Sequence, residues 1–224
     1  MKKETKLKIK IAEAATGRYI ENRRFTIQSL AKELEITPKQ IFDLFPNRSS
    51  ILRYYYDSRI LIYREQISSI KEYSTFTLSE KLNNIFLSLL DQFSEHREFV
   101  LLTYRDMVGS PVRSSAFEKL FKEALREIFQ SDEQIATSAK ILQNRFLYHA
   151  IYLQFHGLIL FWKNDESHLY ENSMALVDKW CALQEEIFYS KIVDKGFDLG
   201  KFLYYNSPIN FTTSCALTAK RSEA

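Results

Sequence analysis

Four side chains between residues 37 and 48 have types suited to contact with nucleic acid. Gln40 can hydrogen-bond adenine through two atoms at once, and Lys39 can reach guanine or a phosphate. Thr37 and Arg48 stand at predicted helix starts, where free backbone amides and positive charge favour a phosphate. The pattern therefore favours a nucleic-acid contact, with an ordinary solvated surface as the alternative.

A second polar set occurs within an apolar stretch nearer the C-terminus. Arg145, His149, Tyr152 and His156 are separated by four, three and four residues, which places them on one face of a helix. Such a face can orient a ligand among apolar groups. Such histidines more often have their ring nitrogens hydrogen-bonded within a core or an interface and bind no ligand, so both alternatives stay open.

Motifs that would support catalysis or metal binding are missing from the sequence. It has no GxGxxG after a strand, no GxSxG, no HExxH and no P-loop, and its four histidines are spread along the chain. Cys181 and Cys215 lie in no CxxC motif and near no histidine pair, which excludes a disulfide framework and a zinc site. We expect no catalytic residue, no metal and no cofactor, with an all-helical enzyme as a minor alternative.

Neither a membrane span nor a signal peptide is expected. The most apolar stretch, residues 150–162, is too short to cross a bilayer and contains Gln154 and His156. The basic N-terminus continues into an amphipathic pattern without the apolar segment of a signal peptide. The two cysteines suit a reducing compartment, so we expect a cytoplasmic protein that binds no membrane.

The elements that position these residues are expected to be helices. Only 5 glycines and 4 prolines occur in 224 residues, whereas the turns of a sheet usually need one or the other. Neither residue occurs in residues 47–108 or 112–156, and such stretches are more easily filled by helix. We therefore expect an all-α fold.

The apolar spacing of the first 48 residues predicts three helices. The first ends near Glu21, Thr26 caps the second, and Thr37 followed by Pro38 begins a third that runs to about Phe45. Two short helices joined by a tight turn, above a longer first helix, describe a helix-turn-helix that can enter a major groove. A generic three-helix packing is the alternative.

Positive charge is concentrated in the same part of the chain. Residues 1–66 hold 14 Lys/Arg against 8 Asp/Glu, whereas the remaining residues hold 17 against 20. A basic segment on a near-neutral body is typical of a nucleic-acid-binding head, and a solvated charged face is again the alternative.

The residues of this segment resemble the N-terminal signature of the TetR family of transcriptional regulators. Residues 26–31 are similar to the family's Thr-apolar-x-x-Ile-Ala opening. Residues 36–48 are similar to its Val-Ser-x-x-x-Leu-Tyr-x-x-Phe-Pro-x-Lys recognition segment, and Ile51 and Leu52 match the Leu-Leu that starts its fourth helix. The resemblance is specific over about residues 8–56 and only architectural beyond residue 60.

This resemblance implies a helix-turn-helix domain at 1–48 and a larger helical regulatory and dimerisation domain at 49–206. After about residue 206 the chain becomes rich in Ser and Thr and ends polar, which predicts a flexible tail at 207–224. The resemblance implies a homodimer that binds a palindromic operator in double-stranded DNA, as a repressor that a small apolar or aromatic ligand releases. A ligand-independent DNA-binding protein acting through a protein partner is the alternative. Positions that commonly contact DNA in the family correspond here to Thr26, Gln28, Thr37, Lys39, Gln40, Phe42 and Arg48.

Three residues depart from the family pattern. Phe42 replaces a tyrosine whose hydroxyl reaches a phosphate, so that contact is absent or is replaced by an apolar one. Asp43 occupies a position usually given to a basic or polar residue. Asn22 stands near a family glycine, and asparagine is the next best residue for a left-handed turn.

Six further helices are predicted in the body. The fourth begins after Asn47 and is the only obvious mechanical link to the head, and a break at residues 72–77 separates it from the fifth. The sixth, seventh and eighth are predicted at about 97–108, 114–129 and 133–163, and residues 164–167 turn the chain into the ninth.

The last two predicted helices carry more apolar surface than a single chain is expected to bury, which indicates a dimer interface. The resemblance implies the same, because these helices form the dimer interface in the TetR family. The ninth helix is expected to contribute Leu176, Trp180, Leu183 and Ile187.

The resemblance also implies a ligand cavity enclosed by the fifth to eighth helices, although an aromatic stripe is more often plain core. The side chains expected around such a cavity are Phe93, Phe121, Arg145, Phe146, His149, Tyr152 and His156.

Overall fold

The computed structural model describes residues 1–109, 115–136, 139–190 and 192–206. Within these ranges the regular elements are helical and no strand occurs, which confirms the all-α prediction. Short 3-10 segments lie at Tyr73–Thr75, Ala139–Leu142 and His168–Tyr170. The α-helices are α1 (Lys3–Glu21), α2 (Ile27–Glu33), α3 (Pro38–Leu44), α4 (Arg48–Ser68), α5 (Leu78–Ser94), α6 (Arg97–Met107), α7 (Ala116–Gln130), α8 (Arg145–Lys163), α9 (Glu171–Tyr189) and α10 (Ile192–Asn206).

The predicted starts of α2, α3 and α4 are confirmed, and all three are set by the same local device. At each start, a side chain accepts a hydrogen bond from the backbone amide three residues on, and the later side chain bonds back to the cap. These reciprocal capping boxes satisfy amides that a helix start leaves free. The pairs are Thr26 with Ser29, Thr37 with Gln40 and Asn47 with Ser50.

The left-handed backbone expected near Asn22 lies elsewhere. Asn22 has an extended backbone, and its side-chain oxygen accepts from the Arg24 amide at 2.9 Å, forming a local turn without a positive φ. The left-handed residue of the head is Glu35, with φ of 55°, in the tight connection between α2 and α3. Its conformation lets the Ile36 amide reach the Ala31 carbonyl at 3.0 Å, which closes the end of α2.

The predicted start of the eighth helix at about residue 133 was wrong. The helix begins at Arg145, because the Asn144 side chain accepts from the backbone amides of the first turn. Upstream, the Asp132 side chain accepts from the Gln134 amide at 2.9 Å and from the Tyr189 hydroxyl at 2.7 Å. The segment is thus held in a turn against α9 and does not extend α8.

Helix α10 was not predicted, and it packs mainly against α9. Ser190 has an extended backbone that ends α9 before it. The predicted tail at 207–224, which includes Cys215, lies outside the described residues.

The N-terminal helices and the body share one continuous core. Helix α1 packs against both α4 and α6. Tyr19 of α1 meets Phe99 of α6 edge to face with 5.6 Å between ring centres, and Phe99 also contacts Tyr55 and Tyr56 of α4. The expectation that α4 is the only mechanical link was therefore too narrow, because α6 also touches the head. A domain boundary at residue 48 stays a prediction.

A buried arginine joins α1 to α4 at the centre of this contact. Arg59 is only 1% exposed, and its guanidinium lies 2.8 Å from the Glu13 carboxylate of α1. The same guanidinium lies over the Tyr55 ring, 4.4 Å from its centre, and donates to the Tyr55 carbonyl. A charge in this position needs its partners, since it has lost most of its contact with water.

Replacing Glu13 by Gln should lower the free energy of unfolding by about 1 to 3 kcal/mol, because the buried guanidinium then keeps only one described carboxylate partner, the more distant Glu95 at 4.0 Å. The matched control is Glu4→Gln on the same helix, which removes an exposed ion pair with Lys8 and should cost well under about 1 kcal/mol. Urea denaturation of the three proteins measures both values. Equal losses in the two variants would contradict the role given to Arg59.

Candidate nucleic-acid interface

Helix α3 buries one side and presents the other to solvent. Ile41 is fully buried in the core, whereas Lys39, Gln40, Phe42 and Asp43 are exposed. Phe42 is 52% exposed, which is high for a phenylalanine and leaves its ring available for an apolar contact. The predicted DNA-contacting residues of α3 thus lie together on an accessible surface.

The start of α2 lies beside this surface in the helix-turn-helix. Thr26 and Gln28 are exposed, and Thr26 uses its hydroxyl to accept from the Ser29 amide at 3.0 Å. Gln28 occupies the first turn of α2, where backbone amides are free and the helix dipole favours an anion. These two residues remain candidates for phosphate contact.

The Gln40 side chain is engaged within the protein. Its carbonyl oxygen accepts from the Thr37 backbone amide at 2.8 Å and lies 3.1 Å from the Thr37 hydroxyl. Two-atom recognition of adenine needs both the oxygen and the amide nitrogen, so it would break this capping box. In the observed arrangement the Gln40 side chain can present only its amide N–H donors to a base. The Thr-x-x-Gln pattern was a readable signal for this geometry that the sequence analysis missed.

Arg48 is also partly used within the head. It is half-buried, its guanidinium donates to the Phe25 carbonyl at 2.6 Å, and it lies 5.1 Å from the centre of the Phe25 ring. This contact ties the start of α4 to the connection between α1 and α2. The remaining donors of the guanidinium are free to meet a phosphate, but Arg48 has a structural role as well.

Two basic residues that sequence reasoning passed over lie close by. Arg23 and Arg24 are exposed in the connection between α1 and α2, directly before Phe25. The sequence pattern that could have identified them is a pair of adjacent arginines just before a predicted helix cap, in a segment predicted to be basic. They extend the positive surface around the starts of α2 and α4.

The residues predicted at a dimer interface divide into two groups. Leu183 and Ile187 of α9 are exposed, as an interface between copies requires. Leu176 and Trp180 are half-buried and pack against the core of their own chain, and the Trp180 indole N–H donates to the Gln154 side chain at 3.0 Å. Trp180 thus helps to hold α9 against α8 of the same chain.

Comparison with known proteins decides the family. Residues 81–203, more than half of the chain, match the family model described as tetracyclin repressor-like, C-terminal domain. The chain belongs to the TetR family. No curated protein matches the chain. The matched region begins in α5, whereas the helix-turn-helix signature lies in the first 56 residues. Two separate parts of the chain therefore indicate the same family.

The residues predicted to line a ligand cavity in this TetR-family body do not surround one common space. Phe93, Phe121 and Tyr152 are buried in an aromatic cluster, in which the Phe121 and Phe155 ring centres are 5.0 Å apart. Phe146 lies on the surface and is 68% exposed, which differs from the interior position expected of it. The aromatic cluster is therefore packed core.

The remaining three predicted ligand residues have different surroundings. Arg145 is exposed at the start of α8. His149 is also exposed, with its ring nitrogen Nδ1 3.0 Å from the Lys122 ammonium group. His156 alone lines an open cleft, which lies between α6 and α8, and its Nδ1 is 2.7 Å from the Tyr104 hydroxyl.

Two findings concern functions other than DNA binding. Among the described residues, no three His, Cys, Asp or Glu side chains come together in a way that could hold a metal ion. In the same part of the chain, no helix is long and apolar enough to cross a membrane.

Gln40→Glu should separate the structural role of Gln40 from its role at DNA. A glutamate at this position can still accept from the Thr37 amide, so the free energy of unfolding should change by less than about 0.5 kcal/mol. It removes both donors and adds a negative charge, so affinity for DNA fragments retained by the wild-type protein should fall at least about tenfold.

Gln66→Glu provides the control, because it makes the same chemical change at an exposed position near the far end of α4. Fluorescence anisotropy with a labelled duplex measures affinity for all three proteins. If Gln40→Glu and Gln66→Glu weaken DNA binding equally, the outer face of α3 does not contact the bases.

Proposed function

We propose that the protein is a dimeric transcriptional regulator that binds a palindromic operator through its N-terminal head. In this proposal it is a cytoplasmic repressor that a small molecule releases from DNA. The observation that carries the proposal is the exposed outer face of α3, with Lys39, Gln40 and Phe42, on a chain whose body matches the TetR C-terminal domain.

The surface charge of the head supports binding to DNA. Lys39 on α3 and Arg23 and Arg24 before α2 are exposed cations around the helix-turn-helix. Cations of this kind meet phosphates and fix the register of the protein on a duplex, while side chains of the recognition helix meet base edges. Lys39→Gln should therefore weaken binding to all DNA sequences alike. It should also reduce the slope of log affinity against log salt concentration by about one.

A palindrome requires two heads related by a two-fold axis, so the proposal requires a dimer. Helix α8 carries a fitting surface. Phe146, Leu153 and Leu160 recur every seven residues and are all exposed in the single chain. The small residues Ala150 and Gly157 lie between them and are exposed too. This alternation of four and three residues is typical of paired helices, and the small side chains allow close approach.

Helix α9 extends the same proposed interface. Leu183 is 48% exposed and Ile187 is also exposed, although both are large apolar residues. Leu176 and Trp180 lie behind them, against α8 of the same chain. We therefore assign the direct contact with the partner to Leu183 and Ile187, together with the α8 stripe, and a supporting role to Leu176 and Trp180.

Control by a ligand requires that one state of the body bind the ligand better than the other. The contacts described above offer a short path to the head. The Tyr56 hydroxyl of α4 lies 2.7 Å from the Thr103 hydroxyl oxygen of α6, and α6 also contacts α1. The packed cluster around Phe155 favours the alternative of a regulator without a small-molecule ligand.

Selection from random DNA duplexes tests the proposed function. The purified protein should enrich fragments that share one inverted repeat, and two chains should bind each fragment in analytical ultracentrifugation. Sequencing of the retained fragments gives the operator. Failure to enrich any shared sequence, or enrichment of a site without two-fold symmetry, would overturn the proposal.

Leu183→Glu and Ala150→Glu should each convert the dimer to 26.5 kDa monomers. Both positions are exposed in the single chain, so each chain should still fold, whereas in the dimer an unpaired charge would be buried at a cost of several kcal/mol. Operator affinity should fall with dimerisation.

The control is Leu102→Glu, which places the same charge at an exposed leucine of α6, a helix that is not assigned to the interface. It should remain a dimer in sedimentation velocity. Dimers of Leu183→Glu and Ala150→Glu at the same protein concentration would show that the interface lies elsewhere.

A further inference from the structure

An open cleft lies between α6 and α8. It has a volume of about 520 Å³, which is within the range of small-molecule sites. Its walls are mostly apolar. The apolar residues that form them are Val100 and Leu101 from α6 and Leu153, Ile159 and Leu160 from α8. Leu153 and Leu160 also belong to the exposed stripe assigned above to the dimer interface, so in the proposed dimer this cleft borders the interface.

The polar groups of the cleft are neutral or positive. Tyr104 and His156 form a hydrogen-bonded pair, while the exposed cations Arg105 and Lys163 also line the cleft. Among the residues that the structure describes, no Asp or Glu lines it. A ligand that fills the apolar walls would therefore meet two cations and no opposing carboxylate of the lining.

The Tyr104 and His156 pair is uncharged at neutral pH. Burial lowers the pKa of His156 below its ordinary value and raises the pKa of Tyr104 well above its own. The protonated phenol can therefore donate to Nδ1, which we assign as the acceptor, leaving the imidazole proton on Nε2. The pair supplies polar contacts to a ligand without adding charge.

We propose that this cleft binds an amphiphilic organic anion, with an apolar chain between α6 and α8 and its carboxylate at Arg105 or Lys163, the two cations of the lining. The geometry selects against a cationic amphiphile, which would meet these two charges. It also favours an acid over a neutral molecule of the same length, because a guanidinium pairs with a carboxylate in a charge-assisted hydrogen bond.

As the effector of the regulator, a role that rests on the proposed function, this anion would act directly on α6. Leu101 and Arg105 of α6 line the cleft, while Phe99 and Thr103 of the same helix contact α1 and α4. An occupant that moves α6 away from α8 therefore changes the support of the DNA-binding head. The path from ligand to head crosses one helix.

Sodium decanoate is the probe for the test, used with the full-length protein without DNA and below its micelle concentration. Isothermal titration calorimetry should give one saturable site per chain. Decanol, which has the same chain without the charge, should bind at least tenfold more weakly, and decyltrimethylammonium and acetate should give no saturable binding.

The double variant Arg105→Gln/Lys163→Gln should weaken decanoate binding at least tenfold and leave decanol binding unchanged. Both side chains are exposed, and an unchanged thermal midpoint would verify folding. Arg105→Lys should keep most of the affinity because it keeps the charge. Lys179→Gln, at an exposed lysine of α9, should behave like the wild-type protein.

Three results would overturn the site: no decanoate binding, equal binding of decanoate and decanol, or equal affinity in the wild type and the double variant. The effector role is tested separately by adding decanoate to the complex with the selected operator. Saturable binding to the cleft without release of DNA would overturn the effector role and leave the anion site in place.

Discussion

The position of the DNA-binding head depends on the buried guanidinium of Arg59. This group joins three helices, because it pairs with Glu13 of α1 and lies on Tyr55 of α4, whose hydroxyl donates to the Gln92 carbonyl of α5 at 3.1 Å. A buried charge tolerates little displacement of its partners. These contacts therefore hold α1 of the head against α4 and α5 of the body.

Local signals account for the parts of the fold that the sequence predicted well. Thr26, Thr37 and Asn47 cap helices through residues only three positions away, so their effect is readable from the sequence. The start of α8 was misplaced because it depends partly on Asp132, which is held by Tyr189 from a distant part of the chain. Apolar periodicity contains no information about such a contact.

In the candidate site, too, some features were predictable from local sequence and others depend on contacts between distant residues. The exposure of Lys39 and Phe42 agrees with the DNA-contacting positions that the family resemblance implied, and the Thr37 and Gln40 capping box was visible in the sequence although overlooked. The contact of Arg48 with Phe25 was not predictable, because it spans 23 residues without a local pattern. The cleft likewise exists only once α6 and α8 pack side by side, which brings Arg105 and Lys163 to one space.

The capping bond of Gln40 has a consequence for the base composition of the proposed operator. With its oxygen occupied, Gln40 presents only N–H groups, as Lys39 does, and Asp43 is the exposed acceptor on the same side of α3. Guanine displays two acceptors in the major groove, and its partner cytosine displays a donor. In the proposed function, the bases facing α3 in each half-site are therefore expected to be G·C pairs, with guanine opposite Gln40 and cytosine within reach of Asp43, while Lys39 contacts phosphate.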